Sequence, residues 1–170
     1  MRKSSFFFIY ALLVVAQILI CNYFHLTSFV MLSILPVLVL CIPIRIPTTG
    51  SLLIAFATGF IVDLLADGVL GLNTLALVPV ALARDGILSL LFGRELFARK
   101  EDFTVHKNGF GPVTLAIILS QALFLAVYIW ADGAGMRPFW FNFARWAASL
   151  AAGTALSLIV VPALAPDTRK

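Results

Sequence analysis

The charged side chains of Asp63, Arg84 and Arg145 and the amide of Asn73 stand within long apolar stretches of this 170-residue chain. A charge in hydrocarbon is costly, so such residues mark ion pairs, proton relays, ligand contacts or tight packing. Depth decides which of them meet. If residues 50–66 form an outward-running span, Asp63 lies about one turn from its outer end, whereas Arg84, on the returning span, lies roughly 20 Å below that end at 1.5 Å per residue. Arg145, close to the start of an inward-running span, shares the depth of Asp63. Ala55, Gly59 and Asp63 recur every four residues on one face, and Arg145, Ala148 and Ala152 share another; small faces of this kind let helices approach closely in lipid. The expectation is that these two spans pack together and that Asp63 pairs with Arg145, as a bridge fixing helix register ahead of any relay. Asn73 and Arg84, eleven residues apart, fall on nearly one helix face.

Soluble-enzyme chemistry is missing from the sequence. There is no phosphate-binding glycine loop. His25 and His106 fall on opposite sides of the membrane, so no metal site is expected. No Ser-His-Asp set shares a depth, and Asp63, Asp67 and Asp85 sit at different levels, unlike the aspartates of membrane phospholipid synthases. The chain is expected to be no enzyme and to carry no cofactor. Cys21 and Cys41 lie toward opposite faces and cannot form a disulfide with each other; both read as small apolar fillers.

The elements that must carry these residues are membrane helices. The chain is 62% hydrophobic and 12% charged, with a mean hydropathy of +1.06, well outside the range of soluble domains. Apolar runs at 6–24, 28–44, 50–66, 70–92, 111–131 and 140–163 are each close to the length that crosses a bilayer. The expectation is an all-α integral membrane protein, one six-helix transmembrane bundle over residues 1–170. With the amino terminus inside, nine basic residues (Arg2, Lys3, Arg45, Arg94, Arg99, Lys100, Lys107, Arg169, Lys170) are cytoplasmic and only Arg137 faces out. Both termini are therefore expected in the cytoplasm. The net charge of +4 then reports orientation, and no nucleic acid is implied. The first apolar run reads as an uncleaved anchor in preference to a signal peptide, because no small-residue cleavage site follows it.

Gln17 and Gln121, near mid-bilayer, are expected to make interhelical hydrogen bonds. Pro36 and Pro79 predict kinks that free carbonyls for neighbours. The fourth span reads as a continuous helix holding Arg84 and Asp85, in preference to a break before an interfacial helix at 85–97. The loop 93–110 is cytoplasmic, and its Arg94, Arg99 and Lys100 are candidate contacts with a partner or anionic lipid. Trp140 and its aromatic neighbours read first as an interfacial anchor, second as a partner surface.

A basic residue and short polar lead-in at Arg45 to Gly50, followed by Gly59, Asp63, Gly68, Leu70-Gly71 and the apolar segment Leu72 to Ala76, resemble the MreD family of bacterial rod-shape-determining membrane proteins. The motif covers residues 45–83; elsewhere the likeness is one of size and hydropathy. The resemblance implies a non-enzymatic scaffold or regulatory subunit of the cell-elongation complex, supporting lateral-wall peptidoglycan synthesis from the bacterial inner membrane. It implies MreC as direct partner and MreB, RodA and RodA's penicillin-binding transpeptidase in the same complex. It also implies a bundle similar to the S components of energy-coupling factor transporters, and a substrate-capturing S component is the alternative reading. Gly59, Asp63, Gly71 and Asn73 are the residues whose loss is expected to matter most.

Overall fold

The computed structural model describes residues 3–23, 30–67, 69–93, 109–133 and 137–164, which are helical apart from short connections and contain no strand. The helices are α1 (Lys3–Tyr23), α2 (Leu35–Leu40), α3 (Thr48–Val62), α4 (Leu72–Phe92), α5 (Phe110–Gly133) and α6 (Phe139–Leu164). A π-helical turn, Asp63–Asp67, continues α3. Five of these helices are long and apolar enough to cross a bilayer. They correspond to five of the six apolar runs.

The exception is the run at 28–44, where the sequence predicts a full span. Its described part holds an irregular stretch over 30–34, the six-residue α2 and turns over 41–47. Pro36 stands in the first turn of α2, where a missing N–H costs nothing, and Pro43 and Pro47 prevent helical continuation beyond it. The proline therefore starts a short helix instead of kinking a long one. Hydropathy does not register this difference, because the segment is apolar for the opposite reason to a lipid-facing span: Ile34 to Leu40 are all buried inside the protein.

The segment nevertheless returns the chain across the bundle. Tyr10 of α1 is hydrogen-bonded to Thr58 of α3 at 3.0 Å, and Asn22, further along α1, donates to the Leu65 carbonyl just beyond α3 at 3.2 Å. The two helices thus run the same way, and residues between them must travel back. Irregular backbone at that depth is tolerated only when enclosed by protein that satisfies its polar groups. Five contacts do so. Gln17 Nε2 donates to Leu32 O (3.1 Å) and its Oε1 accepts from Ile34 N (2.8 Å). Gln121 Nε2 donates to Ser33 O (3.0 Å), Met31 N donates to Ser149 Oγ (3.0 Å), and Arg84 Nε reaches Leu40 O (3.3 Å). The two glutamines, expected to bond between helices, instead bond the non-helical backbone of this crossing.

Around it, α3 packs on α4, α4 on α5 and α5 on α6. The inward face of α3 is Ser51, Ala55, Thr58, Gly59 and Val62, small residues at helical spacing. That face meets α4. The predicted α3–α6 packing is not what forms, because the small face of α3 is taken up by the helix to which the tight turn joins it.

Candidate functional site

Asp63 is fully buried, and its carboxylate is the acceptor for the whole start of α4. Oδ1 accepts from Asn73 N at 2.8 Å and Asn73 Nδ2 at 3.1 Å. Oδ2 accepts from Gly71 N at 3.1 Å, Thr74 N at 3.1 Å and Thr74 Oγ1 at 2.7 Å. A helix leaves its first N–H groups without intrahelical partners, and its N-terminus carries partial positive charge. Helix α4 begins after Gly71, which has no side chain to cap it, so the aspartate of the preceding helix supplies the missing acceptor. The carboxylate is thereby held inside an apolar bundle without a cationic partner among the described residues.

Two glycines make that approach feasible. A Cβ on Gly59 would lie 2.6 Å from Thr74 Cα and 2.8 Å from Thr74 N, so only glycine lets α3 lie this close to the start of α4. Gly71 has φ +95°, a left-handed conformation that turns the chain into α4 and that glycine adopts without penalty. Gly59, Asp63, Gly71 and Asn73, singled out separately in the sequence, therefore form one clasp.

Arg84, just past the middle of α4, performs the complementary task. It is 1% exposed; its guanidinium donates to Leu40 O at 3.3 Å, to Ile42 O, and to Asp85 Oδ1 at 3.0 Å. The Leu40 carbonyl is the last of α2 and that of Ile42 lies just beyond its C-cap, where partial negative charge favours a cation. Asp85 in turn accepts from Thr48 Oγ1, at the start of α3, at 2.5 Å. Helix α4 is continuous through Arg84 and Asp85, as the sequence favours.

The predicted pair of Asp63 with Arg145 does not form. Arg145 donates to Asp132 Oδ2 at 2.5 Å, and Arg137 reaches the same oxygen at 3.4 Å. Depth matching was insufficient because Asp63 is already consumed by the helix start. Asp132 was missed as the partner, although it and Arg145 face each other across the antiparallel α5–α6 hairpin, a symmetry legible in the spacing about the turn. Trp140 is exposed and lies in an aromatic group with Phe139 and Phe143. Arg94, Arg99 and Lys100 lie outside the described residues. Among the described residues no group of three or more His, Cys, Asp or Glu is placed to hold a metal. What the arrangement does chemically is fix helices: the two most buried charged side chains among the described residues, Asp63 and Arg84, are both spent on helix termini.

In comparisons with known proteins, no family model, no curated protein and no solved structure matches this chain.

Proposed function

We propose that this chain is a multi-pass membrane scaffold of the MreD type, a non-enzymatic subunit of the bacterial cell-elongation complex in the cytoplasmic membrane. The reading rests on the resemblance over residues 45–83 and on one structural observation that fits it: the motif residues Gly59, Asp63, Gly71 and Asn73 converge on a single clasp that braces the α3–α4 hairpin. A motif spent on rigidity suits a protein whose work is to hold partners in register. Both termini are assigned to the cytoplasm by the distribution of basic residues. MreC is the proposed direct partner, with MreB, RodA and its transpeptidase in the same assembly, and Trp140 and the basic loop 94–107 are candidate contacts.

Mild-detergent affinity purification of the tagged chain from its native cells, followed by mass spectrometry, tests the proposal. Recovery of MreC with RodA or the transpeptidase supports it. Recovery of a transporter's coupling subunit and ATPases overturns it in favour of solute capture.

A further inference from the structure

Aromatic side chains gather at the α5–α6 turn. Trp130, Phe139, Trp140, Phe143 and Trp146 form a run of ring contacts with centroids 5.9 to 6.5 Å apart, and they include all three tryptophans of the chain. The rim faces outward: Trp140 is 77% exposed and Phe139 61%. Tryptophan concentrates where hydrocarbon meets headgroups, the depth at which lipid phosphates lie.

The same turn carries more positive than negative charge. Asp132 accepts from Arg145 at 2.5 Å and from Arg137 at 3.4 Å, both at one oxygen, Oδ2. Each arginine reaches it through a single nitrogen, so neither contact is the two-pronged fork that engages a guanidinium most strongly. Arg145, the more enclosed of the two, takes the carboxylate at close range. Arg137 is the surplus cation. Its side chain is 44% exposed, its contact with Asp132 is long for a charge-assisted hydrogen bond, and its guanidinium rests 5.8 Å from the centre of the Phe141 ring. The ring attracts the cation through its face and leaves N–H groups of the five-donor fork for an anion. Arg84, by contrast, is enclosed by the carbonyls of Leu40 and Ile42 and has no such surface.

We propose that Arg137 holds the phosphodiester of an anionic phospholipid at the α5–α6 turn, with the acyl chains lying along the exposed faces of Phe139, Trp140 and Phe143. The planar guanidinium presents paired N–H donors that match two phosphate oxygens, and a headgroup with one net negative charge balances the surplus of the three side chains. A zwitterionic headgroup brings a second cation to the cluster and leaves that surplus unbalanced. The inference needs only a multi-pass membrane protein and is independent of the scaffold reading.

Tryptophan fluorescence tests it, because every tryptophan belongs to this rim. The purified chain is reconstituted in phosphatidylcholine vesicles with increasing fractions of phosphatidylglycerol or, in parallel, of phosphatidylcholine, each bearing brominated acyl chains that quench on contact. Brominated phosphatidylglycerol is expected to reach half-quenching at about a fivefold lower mole fraction, the scale of one cation beside an anionic headgroup. Arg137→Gln is expected to abolish that preference while quenching by brominated phosphatidylcholine stays unchanged. Asp132→Asn, which removes the competing carboxylate, is expected to widen it. Arg45→Gln, in the exposed turn before α3, removes one cation elsewhere and is expected to preserve it. Equal quenching by the two lipids in the wild type, a preference that survives Arg137→Gln, or one that narrows in Asp132→Asn overturns the proposal. So does loss of the preference on adding inorganic phosphate at constant ionic strength, which would make this a site for a soluble anion.

Discussion

Asp63 shows how a carboxylate can reside in an apolar bundle without an ion pair among the described residues. Five donors surround it, three of them backbone N–H groups at the start of α4. Asp63→Asn keeps the shape but turns an amide group toward groups that are themselves donors. The expected cost is about 2–3 kcal/mol, the scale of a lost hydrogen bond to a charged group, measured by thermal unfolding in detergent. Exchanging the charges, Asp63→Arg with Arg145→Asp, is expected to give no more accumulated protein than either single change, since the two side chains serve different partners; recovery of accumulation would show that they interact. Gly59→Ala must push backbone apart, because the obstructing atoms are Thr74 Cα and N. Its expected cost is about 1–3 kcal/mol, typical of overpacking. The sequence marked these positions as important through their polarity and smallness. Which partner each takes was not legible, because the acceptor for the start of α4 stands eight residues upstream of Gly71 on a different helix, beyond the reach of local capping patterns.

At the scale of elements, α4 is the organising helix. Its N-terminal end is capped by a carboxylate from α3, and just past its middle Arg84 caps α2 while Asp85 holds the first residue of α3. Arg84→Met retains the length of the side chain but strands the carbonyls of Leu40 and Ile42. A loss of about 3 kcal/mol is expected, in the range for removing one member of a buried, hydrogen-bonded charge set, and it should appear in unfolding curves together with faster proteolysis between residues 41 and 47. Gln17→Leu removes two contacts to the broken crossing and is expected to cost about 1–3 kcal/mol. That crossing is where hydropathy misled. Residues 28–44 have the apolar content of a span, but Pro36 and Pro43 interrupt them, and for Ile34 to Ile42 burial inside protein substitutes for exposure to lipid. The prolines and the mid-bilayer glutamines were visible from the start. Their connection, that the amides exist to serve a non-helical backbone, required the three-dimensional arrangement.

At the scale of the whole molecule, hydropathy located the five long helices because that property and lipid exposure share a cause. It did not order their neighbours, since α3 and α6 both offer small-residue faces and only packing selects the partner of each. In the scaffold reading, the intramembrane charges hold the fold and the partners bind elsewhere. The most direct test is to recover the tagged wild-type chain and its Asp63→Asn variant from native membranes, and to measure bound MreC per folded molecule. The account predicts that the variant yields less folded protein while each folded molecule carries as much partner as the wild type. A variant that folds in full amount yet recovers no partner would contradict it, and would make Asp63 a contact in its own right.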